Sequence, residues 1–76
     1  MAETFTPLKG KEVLRKLQKA GFKVIRIRGS AHYLHNPITH RFTSVHIHGG
    51  KDIPVPLLRK IVVHQAKLTI EEWNQL

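Results

Sequence analysis

The chain contains no cysteine and few acidic residues, and these two shortages narrow its chemistry. Without cysteine it forms neither disulfides nor thiolate metal sites, which fits a reducing compartment. Only five Asp and Glu oppose thirteen Lys and Arg, and no acidic residue occurs between Val13 and Lys51. A nuclease that works through two metal ions needs clustered carboxylates, so the composition argues against that class.

Long apolar segments are also missing. No run approaches the roughly 20 residues that span a bilayer, and the N-terminus lacks the apolar segment of a signal peptide. We therefore expect a cytoplasmic protein with no membrane segment, folded as a single domain over residues 1–76. Its net charge of +8 favours a polyanionic partner, most often a nucleic acid. A basic surface without a dedicated partner is the alternative.

The hydrophobic periodicity predicts a helix, three strands and a second helix. Thr6 and Pro7 are typical of an N-cap and a first helical position, and Gly21 is typical of a helix end. The predicted helix spans Leu8 to Ala20, with a start at residue 10 or 11 as the alternative because Gly10 is unfavourable inside a helix. The predicted strands are Phe22–Arg28, Ala31–Asn36 and Arg41–His48. Short loops between the strands favour a three-stranded antiparallel sheet.

The C-terminal third predicts more helix. Two prolines in the connector Lys51–Pro56 disfavour regular helix before residue 56, after which an amphipathic pattern runs to Gln65. Thr69-Ile70-Glu71-Glu72 is a capping-box signature that predicts a short last helix, with Trp73 as its packing anchor. The order predicts an α+β fold with helices on one face of the sheet and an open opposite face.

The stretch from Arg26 to His35 is the strongest functional candidate. Arg26 and Arg28 should share a strand face, and Gly29-Ser30 should form a tight turn beside them. Arginine binds phosphate through paired hydrogen bonds, so this corner predicts a phosphate site. Lys51 is a further candidate phosphate contact, Tyr33 a candidate base-stacking residue and His32 a further candidate RNA contact. Ordinary surface arginines, a loop lysine and a partly buried aromatic are the alternatives.

Histidine is abundant, and four of the six lie on the predicted strands: His32, His35, His46 and His48. Imidazole transfers protons near neutral pH, and RNA carries an internal nucleophile in its 2′-OH, so cleavage needs no metal or other cofactor. A zinc site built on His46 and His48 is a second interpretation, although Asp52 is the only nearby carboxylate. Solvated strand histidines are the third.

Several ordered motifs resemble the HicA toxin family. They are Ala20-Gly21-Phe22, Arg26-x-Arg28-Gly29-Ser30, Tyr33, Asn36-Pro37, His48-Gly49-Gly50-Lys51-Asp52, Leu58-Arg59-Lys60-Ile61 and Leu68-Thr69-Ile70-Glu71-Glu72. The resemblance runs from Leu8 to Leu76. It implies a fold like that of the double-stranded-RNA-binding domain and an mRNA-cleaving endoribonuclease toxin. It also implies a HicB-type antitoxin that binds over the active site, in a hetero-oligomer.

One departure from the family pattern decides how this chain is interpreted. The family has histidine directly after Gly29-Ser30, and that imidazole is its implied catalytic group; here the position is Ala31. His32 follows one residue later and should point to the opposite side of the sheet, unless a bulge shifts the register. We interpret the chain as an inactive form, engineered or natural, that keeps its RNA-binding and antitoxin surfaces. A non-catalytic RNA-binding module is the alternative.

Overall fold

The computed structural model describes residues 5–76 and has the predicted α+β architecture. Its elements are β1 (Leu8–Lys9), α1 (Gly10–Lys19), β2 (Lys23–Arg28), β3 (Ala31–His35), β4 (Phe42–His46), β5 (Asp52–Ile53), α2 (Val55–Arg59, continued by a π-helical segment over Lys60–Gln65) and α3 (Ile70–Asn74). Strands β2, β3 and β4 form an antiparallel sheet in that order, and β1 pairs with β5. This helix–three strands–helix order, with a short last helix, is consistent with a fold like the double-stranded-RNA-binding domain.

The hydrophobic core lies between the helices and one face of the three-stranded sheet. Helix α1 and the π-helical segment both pack on this face. The fully buried side chains that join the two layers are Val13, Leu17, Leu34, Val45, Leu58, Val62 and Trp73. No helix within residues 5–76 has the length and apolar character needed to cross a membrane.

Helix α1 begins at Gly10, the alternative start that the sequence predicts, rather than at Leu8. Its N-cap is Lys9, without a side-chain cap, so Thr6 and Pro7 do not open it. Leu8 and Lys9 instead pair with Ile53 and Asp52. Gly10 allows the first turn of α1 to lie close to Ile47, just after β4, because an added Cβ would lie 2.9 Å from Cγ1 of Ile47.

The second helix also differs from its prediction. It begins at Val55 rather than after Pro56, because a proline in the first turn has no N–H for which a partner is needed. From Lys60 to Gln65 the helix widens into π geometry, which a period of 3.6 residues does not predict. Lys67 takes a left-handed φ of 59° just beyond the widened segment.

The last helix forms as predicted. The Thr69 hydroxyl accepts a bond from the Glu72 N–H at 3.1 Å, and the Glu72 carboxylate accepts one from the Thr69 N–H at 2.9 Å. Trp73 is buried and anchors the helix, since the Lys16 ammonium donates to its carbonyl at 3.1 Å and lies 4.9 Å from the centre of its ring. Burial lowers the pKa of Lys16, and the charge of Arg15 adds to that shift.

Asn36 joins the sheet to the end of α1. Its side chain is buried, and its carbonyl accepts bonds from the N–H groups of Ile38 and Thr39 at 2.9 and 3.2 Å. Its amide nitrogen donates to the Ala20 carbonyl at 3.4 Å. One side chain therefore shapes the β3–β4 turn and holds the C-terminus of the helix against it.

Replacing this side chain should destabilise the fold without touching the open face. Asn36→Ala removes the hydrogen bonds that this buried side chain makes with three backbone groups, and we expect it to lower the free energy of unfolding by about 1–3 kcal/mol in urea titrations. Asn74→Ala is the control, since Asn74 is exposed at the end of α3 and its replacement should change stability by less than about 0.5 kcal/mol. Equal effects of the two substitutions would contradict the role of Asn36.

Candidate functional site on the open sheet face

The turn between β2 and β3 is a tight hairpin. Arg28 pairs with Ala31, so Gly29 and Ser30 are the only residues between the paired positions. Gly29 has a φ of +57° and Ser30 is not in the left-handed region, which is the pattern of a type II′ turn. The hairpin thereby sets the Arg28 side chain beside position 31 on the same face of the sheet.

A β-bulge in β2 decides where the two arginines point. Val24 pairs with Leu34, but the next pair along is Arg26 with Tyr33, so Ile25 is an extra residue. Without the bulge Arg26 would be two residues beyond Val24 and would share its core-facing side. With it, Arg26 and Arg28 both face away from the helices. Their predicted common face is confirmed, whereas the bulge was not predicted.

The open face consists of the residues of β2, β3 and β4 that point away from the helices. They are Lys23, Arg26 and Arg28 on β2, Ala31, Tyr33 and His35 on β3, and Phe42, Ser44 and His46 on β4. Direct pairing aligns them in three rows across the sheet. A depression of about 530 Å³ adjoins this face. Its lining includes Arg26, Arg28, Tyr33, Phe42 and Ser44 of the open face, and it also reaches Leu34, Thr43 and Gln65 of the helix-facing side.

The row that crosses position 31 brings together the groups most relevant to catalysis. Ala31 pairs with Arg28 on one side and with His46 on the other. The Ile47 N–H donates to the Ser30 carbonyl at 2.9 Å, a bond between the residues that flank the Ala31–His46 pair. That pair is therefore of the non-hydrogen-bonded type, with Cα atoms about 4.5 Å apart and side chains close together.

His32 lies on the other side of the sheet. It pairs with Ile27 and with the buried Val45, so it faces the helix layer. Its ring is half-buried, with Nδ1 3.1 Å from the Ser30 carbonyl. The pairing of β3 with β4 contains no bulge, so nothing turns His32 toward position 31. The predicted opposite facing of Ala31 and His32 is confirmed.

Aromatic rings occupy the far end of the open face. Phe42 is 61% exposed and its ring centre lies 4.5 Å from that of His35, its partner across the strands. Tyr33 is 38% exposed on the neighbouring row. Sequence reasoning did not single out Phe42 or Ser44 as site residues, although their alternation with Thr43 and Val45 was the available signal.

The cations of the open face are not neutralised by nearby carboxylates. Among residues 5–76, the ion pairs are Lys9 with Asp52 at 3.8 Å and Arg15 with Glu12 at 2.8 Å, and neither lies on this face. The Glu12–Arg15 pair lies on α1, where the hydrogen bond and the charge of Arg15 lower the pKa of Glu12. Arg26 and Arg28 are exposed and available to an anion.

The remaining predicted residues lie at the edge of this arrangement. Lys51 is exposed in the turn before β5, where its N–H donates to the His48 carbonyl at 3.1 Å. The rings of His46 and His48 stack with centres 6.1 Å apart and planes 14° apart. Within residues 5–76 no three His, Asp or Glu side chains come together as a metal site.

Comparison with known families agrees with the motifs. Residues 10–68 match the model of a family described as the HicA toxin of bacterial toxin–antitoxin systems. This range begins at the first residue of α1 and contains the whole open face. No individual protein of curated function matches the chain.

The pairing of position 31 with His46 can be tested by cross-linking, because the chain has no cysteine of its own. The double variant Ala31→Cys/His46→Cys should oxidise to an intramolecular disulfide, since the Cα separation of about 4.5 Å suits that bond. The control, His32→Cys/His46→Cys, places its thiols on opposite faces and should remain reduced. Mass spectrometry distinguishes the two, and a disulfide in the control alone would refute the register.

Proposed function

The chain belongs to the HicA family of toxins from bacterial toxin–antitoxin systems, and from this premise we propose that its open face is built to cleave RNA. In this proposal the fold is that of a metal-independent endoribonuclease acting on mRNA in the cytoplasm. The catalytic imidazole belongs at position 31, and this chain is inactive because Ala31 occupies that place. The proposal follows the motif match and the geometry around that position.

The row Arg28–Ala31–His46 carries the proposal. An imidazole at position 31 would project from the open face between a guanidinium on one side and a second imidazole on the other. A phosphodiester bound by Arg28, with Arg26 two residues away on the same face, would be in reach of both proton-transfer groups. Ala31 itself is buried and its methyl group carries no proton to transfer, so the chain as it stands lacks this group.

The proposed reaction uses the nucleophile inside the substrate. One imidazole accepts the proton of the ribose 2′-OH as its oxygen attacks phosphorus. The other donates a proton to the departing 5′-oxygen, so that the 3′ fragment leaves with a 5′-hydroxyl group and the 5′ fragment ends in a 2′,3′-cyclic phosphate. The arginines stabilise the charge that develops on the phosphoryl oxygens. A histidine at position 31, together with His46, would supply the two imidazoles, while Gly29 and Ser30 build the turn that aligns them.

The same face supplies a surface for the antitoxin. The family implies such a partner, and we propose that it is a HicB-type protein that covers the open face in a hetero-oligomer. Lys23, Arg26 and Arg28 form an exposed basic strip along β2 that a carboxylate-rich partner would complement. A partner bound to this basic strip would exclude RNA and hold the toxin inactive.

A non-catalytic RNA-binding module is the second candidate. The alanine at position 31 favours it for the chain as it stands, because the basic and aromatic residues remain while the central imidazole is missing. The two candidates differ in what happens when that imidazole is supplied.

Ala31→His should create ribonuclease activity. General acid–base groups typically contribute 10²–10⁴-fold, so we expect cleavage at least about 100-fold faster than that of the unsubstituted chain. The assay follows a labelled RNA in EDTA, with products tested for 2′,3′-cyclic phosphate ends.

The matched control is Ala31→Gln, which adds a polar side chain of similar length that does not titrate and should leave the chain inactive. Adding His46→Gln to Ala31→His should remove most of the gained activity. Equal cleavage by the unsubstituted chain and Ala31→His would move the catalytic role elsewhere. No cleavage by either, with RNA still bound, would favour the binding module.

A further inference from the structure

We propose that the open face binds single-stranded RNA, with an unpaired base stacked on Phe42 and the phosphate backbone following β2. This inference rests on the proposed function, because it names the form of RNA that the same face accepts. It is drawn from the placement of the aromatic and basic residues rather than from the catalytic row.

Phe42 is exposed at the first position of β4, an edge strand of the three-stranded sheet. The ring is in contact with His35 at a centroid distance of 4.5 Å, yet 61% of the residue remains accessible. His35 and Phe42 form a non-hydrogen-bonded pair, since the Asn36 N–H donates to the Arg41 carbonyl at 2.9 Å, and such pairs hold their side chains close. The ring is therefore supported from one side and available to a ligand.

Tyr33 extends this surface into a platform. It pairs with Ser44, two residues from Phe42 on the same strand, which makes the two aromatic residues diagonal neighbours about 7–8 Å apart. Both line the open-face depression, together with Arg26 and Arg28. Exposed rings beside arginines are a common arrangement for stacking bases in single-stranded nucleic acid.

The charges separate the binding face into two strips. The cations Lys23, Arg26 and Arg28 all lie on β2, and each pairs directly with a residue of β3. The aromatic rings lie on β3 and β4. An RNA strand whose phosphates follow β2 would direct its bases over the aromatic rings of β3 and β4. A duplex cannot use these rings in this way, because its bases are already stacked and paired inside the helix.

The basic surface of α1 is the competing site for a duplex, but some of its charge is committed internally. Arg15 is paired with Glu12, and Lys16 is bonded to the Trp73 carbonyl. Lys11 and Lys19 are exposed and have no carboxylate partner among residues 5–76. The helix thus offers fewer available cations than its sequence indicates, whereas none of the three on β2 is paired within those residues.

The test compares binding of one short RNA as a single strand and as a duplex with its complement. The unsubstituted chain is titrated in EDTA and followed by fluorescence anisotropy. We expect tighter binding of the single strand and, for Phe42→Ala, a loss of about 5- to 150-fold in single-strand affinity, the range for removing one stacking ring. Duplex binding should change little.

Ile38→Ala is the matched control, because Ile38 is an exposed apolar residue outside the three strands and is 85% accessible. Phe42→Leu keeps the apolar contact with His35 but removes the aromatic surface, so it should show most of the same loss of single-strand affinity. It replaces Phe42→Ala in the comparison if the Ala variant does not fold. Duplex binding as tight as single-strand binding, or equal affinities for Phe42→Leu and Ile38→Ala, would overturn the proposal. Neither result would affect cleavage by Ala31→His, which tests the proposed function separately.

Discussion

The extra residue Ile25 in β2 is the constraint on which the candidate site depends. It changes the facing of the strand, so that Val24 packs toward the core while Arg26 and Arg28 reach the opposite side. There the arginines meet Ala31 and Tyr33 on the adjacent strand. A regular strand would have directed the same arginines toward the helices, and the open face would have lost most of its positive charge. The bulge is therefore the local feature that converts a basic sequence into a basic surface.

The two faces of the sheet differ in what they contribute to the protein. The helix-facing side carries the core and the buried hydrogen bonds of the fold, including the Thr43 hydroxyl that donates to Gln65 at 2.8 Å. Asn36 and Trp73 attach the helices at the edges of this layer. The open side contributes little to packing, which leaves its cations, imidazoles and rings accessible. A substitution there, such as the alanine at position 31, can change chemistry while the fold is preserved.

Much of this arrangement could be predicted from local patterns, because those patterns have local causes. Alternation along β3 correctly separated Ala31 from His32, and the capping box at Thr69 was recognised because both of its bonds join neighbouring residues. The start of α1 at Gly10 was predicted only as an alternative to Leu8, whereas the pairing of β1 with β5 could not be predicted, since the two strands lie some forty residues apart. The bulge and the π-helical segment were not predicted either, because each interrupts the hydrophobic period on which the prediction relied. The doublet Val24-Ile25 was the visible trace of the bulge.

The central claim is that RNA is handled by the open face of the sheet and not by the helices. Backbone amide chemical shifts of the unsubstituted chain, titrated with a short single-stranded RNA, test it most directly. The account predicts that the largest shifts occur at Arg26, Arg28, Ala31, Phe42 and His46, all on the open face. Shifts concentrated at Lys11, Arg15 and Lys19 would place the RNA on α1 and would contradict it.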